Sequence, residues 1–431
     1  MRKMLTLLIA FQALLPLYGQ STLPAQEIEA NYDEAKVPRY TLPEALVCLD
    51  GSTVADSSEW FARRRPEILK LFRDQVYGHA PGIPEEVSYR TVESGEAFDG
   101  LAVRKQVEIT LRNAGRELTV GLLLYIPAER SGGAPAFLGL NFAGNHTLSD
   151  DPAIILNTNW MRPRKDSGIV DNRATEAARG KSSLRWAIET ILRRGYAVLS
   201  AYYGDIDPDF HDEFRNGVHA LFDRPAGDER PADAWGSIGA WAWGLSRIMD
   251  YLETDSDIDH ARVAVLGHSR LGKTSLWAGA QDQRFAMVIS NNSGCGGAAL
   301  SRRAFGETVG RINKSFPHWF CGNFKQYNGK ENNLPVDQHL LISLIAPRPV
   351  YVASAAEDRW ADPRGEFLSL KNADPVYSLV AGDTLAAAVM PGVSQPVFGR
   401  MGYHLRSGRH NVTDYDWDKY LQWADRFMKR R

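Results

Sequence analysis

The sequence predicts an α/β fold: a mostly parallel central sheet with antiparallel strands at its N-terminal edge and helices on both faces. Two observations predict it. From about residue 136 onward, short apolar runs alternate with amphipathic segments whose apolar residues recur every three and four positions, the rhythm of parallel strands joined by crossover helices. Before that point the chain carries three extended segments joined by turn residues, the rhythm of an antiparallel meander. A chain of 431 residues with 44% hydrophobic content can bury one large core, so a single elaborated α/β domain is expected over 40–431.

The first twenty residues carry Arg2 and Lys3, an apolar run from Met4 to Leu17, and then Tyr18-Gly19-Gln20. That is the pattern of a cleavable signal peptide over 1–20, which predicts a secreted or periplasmic protein. The apolar run is too short for a comfortable membrane span, and no membrane partner is expected. Residues 21–39 are polar and acidic without periodicity and read as a flexible tether. Residues 60–77 read as a helix in which Phe61, Ile68, Leu69 and Phe72 share a face, ended by the Gly- and Pro-containing stretch 78–84. Extended segments follow at 87–92, 101–111 and 118–127, with Asn113-Ala114-Gly115 as the turn between the last two. The parallel part is expected from strands at 137–141, 197–201, 263–266, 287–290 and 350–353. Helices at 183–193 and through Ile238, Trp241, Leu245, Ile248, Met249 and Leu252 bury an apolar stripe against it. A last helix over 416–428 carries Trp417, Tyr420, Leu421 and Trp423.

Composition narrows the function. The net charge is −2 and Lys and Arg are dispersed among Asp and Glu, so no field exists to gather a nucleic acid backbone. The runs Arg63-Arg64-Arg65 and Arg302-Arg303 read as solvated helix faces. Cys48, Cys295 and Cys321 allow one internal disulfide at most, with Cys295 and Cys321 the first pair to consider, or else three buried free thiols. Neither H-E-x-x-H nor paired C-x-x-C spacing occurs, and no metal is expected.

The chemistry concentrates in 263–276, which reads as a buried strand, a turn of small residues with Ser269 at its tip, and the start of a helix. A serine hydroxyl is a weak nucleophile until a base takes its proton and N–H groups receive the oxyanion, and a strand-to-helix elbow provides for both. The match to G-x-S-x-G is imperfect, since Leu271 stands where the second Gly is expected and Gly272 follows it. In such sheets ligands bind beyond the carboxyl ends of the strands. After the strand at 350, the acidic loop 355–362 offers Glu357, Asp358 and Asp362, of which Asp358 is taken as the acid that orients the histidine. The polar loop 403–411 before the last helix offers His404 and His410, of which His410 is taken as the general base. The order Ser269, Asp358, His410 is that of the α/β-hydrolases.

Gly267-His268-Ser269-Arg270-Leu271-Gly272-Lys273 resembles the signature of the glucuronoyl esterases, whose nucleophile turn reads G-C/H-S-R-x-G-K. Arg65-Pro66-Glu67-Ile68 with Tyr77-Gly78, Gly144-Asn145-His146-Thr147, the stretch from Ser293 to Ala298, and the stretch from Glu357 to Pro363 are similar to bacterial members. The resemblance runs from about residue 40 to the end. It implies an α/β-hydrolase fold and a serine esterase, needing no cofactor, that cleaves esters of 4-O-methyl-D-glucuronic acid, such as those joining glucuronoxylan to lignin alcohols. By the same resemblance Ser269 is the nucleophile, His410 the base and Arg270 a support of the oxyanion. Lys273 and Glu307 would meet sugar hydroxyls, and Trp360 would form a flat apolar wall. A second oxyanion donor is expected at Gly144-Asn145, and the protein is expected to be a monomer.

One position departs from the family. Many members keep the acid as a Glu shortly after the strand that follows the nucleophile helix, where this chain has Asn292. Asp358 must then supply the charge, and Asn292→Ala is expected to leave activity near wild type. Two other readings stay open at this level: a different carbohydrate esterase such as an acetyl xylan esterase, and a non-catalytic carbohydrate-binding protein on a hydrolase fold.

Overall fold

Nine strands build one sheet: β1 Glu86–Ala97, β2 Ala102–Asn113, β3 Arg116–Pro127, β4 Ala134–Asn141, β5 Ala197–Tyr202, β6 Ile258–His268, β7 Met287–Asn291, β8 Val350–Ala355 and β9 Met401–Arg406. They come from a computed structural model that describes residues 30–222 and 229–429, so the expected signal peptide lies outside the described residues. The strand order is β1-β2-β3-β5-β4-β6-β7-β8-β9. Pairings from β1 to β5 are antiparallel, and those from β5 to β9 are parallel. The predicted antiparallel edge and parallel centre are both present.

Strand chemistry follows position in the sheet. Every residue of β5, β7 and β8 is buried, which is why these segments read as near-continuous apolar runs, each with a single serine or a Ser-Asn end. Most of β2 alternates between buried and partly exposed residues, as expected where one face meets water. Ala114 and Gly115 both take positive φ, 49° and 73°, and Asn113 pairs with Arg116. That is a two-residue turn whose twist matches the hairpin.

Six helices frame the site: α1 Arg65–Phe72, α2 Ile188–Arg193, α3 Ser237–Leu252, α4 Arg270–Gln281, α5 Pro363–Asn372 and α6 Asp414–Ala424. α1 lies between two π-helical turns, Trp60–Arg64 and Arg73–Tyr77, so the predicted helix exists as one rod. The N–H of Arg65 bonds the carbonyl of Trp60, five residues back, and this wider register accommodates Pro66, which has no N–H to give. In α3 only Ser246 and Asp250 are not buried, because the helix is enclosed on all sides and not merely laid on the sheet.

Four expectations are corrected. The helix expected over 183–193 is broken: Ser183–Arg185 is a separate 3-10 turn and Trp186 is extended at φ −126° and ψ 98°. That break lays the indole against β4, where a Cβ on Gly139 would come within 3.0 Å of it. The loop expected from residue 403 begins instead as an edge strand, β9. Its polar His404 and Arg406 hid it, yet both are buried against the Asp416 carboxylate. The arginine runs are largely interior. Arg64 bonds the carbonyls of Ala45 and Glu44, Arg65 those of Leu344 and Ala280, and Arg302 those of Val336 and Leu334. Arg303 pairs with Asp362 and Glu34. Guanidinium forks here satisfy buried carbonyls and carboxylates where the chain has no regular partner.

The last correction concerns the segment read as a tether, which from residue 30 is docked on the domain. The carbonyl of Asn31 accepts the Gly306 N–H at 2.8 Å, Glu34 pairs with Arg303 and Arg364, and Tyr32 meets Phe305 edge-on. Cys48, Cys295 and Cys321 are buried free thiols. Of the two thiol arrangements weighed, the unbridged one is present.

Candidate active site

Ser269 stands between the last residue of β6 and the first of α4, at φ 58° and ψ −127°. A non-glycine residue pays for this conformation in backbone strain, which persists only where the surroundings enforce it. They do so here. A Cβ on Gly267 would fall 1.9 Å from the carbonyl oxygen of Leu271, and one on Gly272 would lie 3.0 to 3.1 Å from Ser293 and Gly267. The strand and helix are therefore folded back on each other through two glycines. The second sits at 272 because residue 271 turns inward, where Leu271 is buried. The turn is pinned to the neighbouring strand by the Ser269 N–H, which donates to the Asn291 carbonyl at 2.8 Å.

His410 arrives on the loop after β9 and is the exposed member of the group. Its Nδ1 lies 2.6 Å from Oδ2 of Asp358, with side-chain exposures of 40% and 4%. Its ring centroid is 4.4 Å from that of His268, the residue before Ser269. Ser269, Asp358 and His410, far apart in sequence, thus gather over one end of the sheet. The loops themselves are joined: the N–H of Ala356 donates to Arg406 O and that of Glu357 to Gly408 O.

The competing candidates have other employment. His404 is fully buried between Asp416 and the Tyr351 hydroxyl, and burial holds its pKa below the ordinary histidine value. Asp362 pairs with Arg303 and caps α5 through the Gly365 N–H. Glu357 is exposed and faces Arg409 at 3.6 Å.

Asn292 turns out to be a neighbour of the acid. Its Nδ2 donates to Asp358 Oδ2 at 2.7 Å, the same oxygen that faces His410. The backbone turns sharply there, with Asn292 at φ 47°, and the position presents a donor to the Asp358 carboxylate. This bond gives a physical reason to expect that Asn292→Ala is not silent.

Arg270 is held by an acid that sequence reasoning missed. Its Nη1 donates to Oδ2 of Asp209, and its guanidinium carbon lies 4.6 Å from the Trp319 ring centroid. Asp209 is fully buried and also accepts from Tyr203 Oη, His318 Nε2 and Trp319 Nε1 at 3.0, 2.9 and 2.8 Å. Burial alone would raise the carboxyl, but the His318 bond, the Arg270 charge and the Trp319 bond outweigh it and hold Asp209 well below the usual range. The only sequence signal for Asp209 was its place a few residues after β5, at the carboxyl end of the sheet. Among the described residues Arg270 Nε has no hydrogen-bond partner. Of the pair expected to supply a second donor, the Gly144 N–H is already used, because Asn141 Oδ1 accepts it at 2.7 Å. The start of α4 and the Arg270 side chain, next in the chain to Ser269, are polar groups suited to a developing negative oxygen.

On the other side of Ser269, Lys273 is buried with Nζ 2.5 Å from Ser293 O, 2.7 Å from Cys295 O and 3.3 Å from Glu307 Oε2. Its three donors are thus engaged within the protein, so the sugar-hydroxyl contact expected of Lys273 is replaced by bonds to two carbonyls and the Glu307 carboxylate. Glu307 in turn bonds the Trp360 carbonyl through its backbone N–H at 3.0 Å. Trp360 is 36% exposed, with Arg311 lying 5.3 Å over its ring. Lys273, Glu307 and Trp360 therefore form one connected wall.

An elbow serine at the carboxyl end of a parallel sheet, with a histidine–carboxylate pair beside it, defines a hydrolase of the α/β-hydrolase fold. The family model of glucuronyl esterase from fungi matches residues 230–381. A prokaryotic carbohydrate esterase, MZ0003, is 52% identical over 94% of this chain and 93% of its own length. The glucuronoyl esterase structure from Solibacter usitatus is 45% identical, covers 91% of this chain and 99% of its own, and superposes with a TM-score of 0.85. A 4-O-methyl-glucuronoyl methylesterase of Schizophyllum commune is 26% identical over 82% of this chain and 77% of its own. The chain belongs to the glucuronoyl esterases, which are carboxylic ester hydrolases. Among the described residues no helix is long and apolar enough to cross a membrane.

Proposed function

We propose that this protein hydrolyses esters of 4-O-methyl-D-glucuronic acid, such as those linking glucuronoxylan to lignin alcohols, through a Ser269–His410–Asp358 acyl-enzyme mechanism. The observation that carries the reading is the 2.6 Å contact of His410 with Asp358 beside a strained elbow serine. With Nδ1 engaged by Asp358, His410 has Nε2 to take the Ser269 proton as the hydroxyl attacks the uronoyl carbonyl. It then returns that proton to the departing alcohol, and water repeats the two transfers on the glucuronoyl ester of Ser269. The tetrahedral oxyanion is met by the first N–H groups of α4 and by Arg270. Glu307, held by Lys273, receives a sugar hydroxyl, and Trp360 stacks on the ring. No cofactor enters any step, and one chain suffices, since all seven residues belong to it. The signal-peptide pattern read over 1–20 supports a secreted or periplasmic enzyme.

The test is release of acid from methyl 4-O-methyl-glucuronate, read beside the galacturonate isomer and acetylated xylan. Hydrolysis is expected to fall by roughly 10³-fold or more in Ser269→Ala and His410→Ala. Cleavage of acetyl esters with inert glucuronates would replace this reading by a deacetylase. A wild-type serine that ignores a fluorophosphonate probe would replace it by a binding protein.

A further inference from the structure

His410 sits on a loop that owes its shape to a buried guanidinium. Arg406, the last residue of β9, is 5% exposed and lies four residues before the histidine. Its Nη1 donates to Ser407 O at 2.9 Å, and its Nη2 to Arg409 O at 3.0 Å and Asn411 O at 2.5 Å. The carbonyls immediately before and after His410 are thereby tied to one nitrogen. The fourth bond, from Nε, goes to Asp416 Oδ2 at 2.8 Å.

Asp416 is itself a hub. Fully buried on the first turn of α6, its Oδ2 also accepts the N–H and hydroxyl of Thr413 at 2.8 and 2.7 Å, which caps the helix and closes the far end of the loop. Its Oδ1 receives His404 Nε2 and Asn291 Nδ2, both at 3.0 Å. Asn291 is the residue whose carbonyl accepts the Ser269 N–H, and its Oδ1 lies 2.7 Å from His268 Nδ1. An unbroken path of polar contacts runs from the Ser269 backbone through Asn291, Asp416 and Arg406 to the carbonyls of the two residues that flank His410. Nothing in the proposed chemistry requires these groups to touch substrate.

We infer that Arg406 and Asp416 are positioning residues that set the placement of His410 over Ser269, with the Arg406 fork moulding the histidine loop and Asp416 locking it to the nucleophile turn. The inference rests on the assignment of Ser269 and His410 above. A loop held only by its ends samples many conformers, whereas one wrapped on a fixed fork presents a single one. A displacement of about 1 Å in a catalytic group can cost on the order of 10²-fold.

The experiment compares Arg406→Gly and Arg406→Lys with wild type on methyl 4-O-methyl-glucuronate. Active sites are counted by fluorophosphonate titration and folding is followed by near-UV circular dichroism. His410→Ala is run alongside, so that a failed assignment of the base is seen separately. Expected for Arg406→Gly is a roughly 10- to 100-fold loss in kcat per titrated site with KM within about twofold. Guanidinium chloride at a few millimolar is expected to restore at least fivefold of that loss, while equimolar sodium chloride does not. Arg406→Lys, which keeps the Asp416 pair but lacks the fork, is expected to fall between and is the variant read if Arg406→Gly does not fold. A kcat per folded site within twofold of wild type in either variant overturns the inference, and so does a loss that appears wholly as KM.

Discussion

Asn292 and His410 meet on a single atom: Oδ2 of Asp358 accepts the Asn292 amide at 2.7 Å and lies 2.6 Å from His410 Nδ1. The amide fixes the plane of the carboxylate, so that an imidazolium formed during reaction finds the charge where it needs it. Asp358→Asn is expected to lower kcat by roughly 10³-fold or more, through loss of charge and of the correct tautomer. Asn292→Ala, which only frees the carboxylate to turn, is expected to cost about tenfold, the worth of one hydrogen bond to a charged group. Steady-state kinetics on methyl glucuronate separates the two, and an unaffected Asp358→Asn enzyme would remove Asp358 from the mechanism.

Asp209 holds Arg270 through a buried ion pair. Asp209→Asn keeps the shape and most of the bonds but gives up the charge that orients the guanidinium. A kcat loss of roughly 10- to 100-fold is expected, with KM little changed, since the oxyanion exists only in the transition state. A change confined to KM would move Arg270 from the oxyanion to ground-state binding.

The strain at Ser269 predicts an inversion of the usual ranking of small residues. Glycine normally costs stability relative to alanine, but at φ 58° it removes the clash. Ser269→Gly is expected to be more stable than Ser269→Ala by about 1 kcal/mol, both being inactive. Chemical denaturation of the two variants decides it, and equal midpoints would mean that the elbow stores no strain.

Glu366 ties α5 to the turn after β7, accepting the N–H groups of Ser293 and Gly294 at 2.7 and 3.0 Å, with Ser354 Oγ 2.6 Å from its other oxygen. Burial pushes its carboxyl up to about 8, against about 4.3 in the unfolded chain. Between those values the folded protein binds the extra proton, so its contribution to stability is present below the unfolded value and is lost as pH rises toward 8. The slope approaches about 1.4 kcal/mol per pH unit. Glu366→Gln, a permanent mimic of the neutral acid, is expected to gain on wild type between pH 5 and pH 9 in urea titrations. A constant difference across that range would show that Glu366 is ionised throughout.

Trp360 has the exposed face that a sugar ring requires. Trp360→Ala is expected to raise KM for methyl 4-O-methyl-glucuronate about tenfold while kcat changes little, because stacking serves substrate and transition state alike. Initial rates over a range of substrate concentrations check this, and an unchanged KM would place the sugar elsewhere.

Much of the site was legible because chemistry forces particular residues into particular places. Gly267, Ser269 and Gly272 could be read as an elbow since only such residues permit that turn. Asp358 and His410 could be proposed as partners, and do meet at 2.6 Å, because loops after parallel strands open onto the same edge. Asp209, Asn291, Arg406 and Asp416 were not legible. Each is a polar residue that local patterning assigns to solvent; Asp209, Asn291 and Asp416 are interior because partners from distant segments satisfy them, and Arg406 because its own loop folds back onto its guanidinium. The same cause hid β9, whose His404 and Arg406 break the apolar pattern, and misplaced Arg64, Arg65, Arg302 and Arg303 on the surface.

The chain by itself determined the alternation of strand and helix, the elbow, and the order of serine, acid and histidine, because these follow from short-range sterics and from the periodicity of burial. Only the tertiary structure decided which acid faces which histidine, what holds Arg270, and what moulds the loop that carries His410. The first two choices depend on hydrogen-bonding geometry between segments tens of residues apart, and the third on how one loop wraps a single guanidinium. A buried charge is tolerated only where folding brings its counterpart within reach.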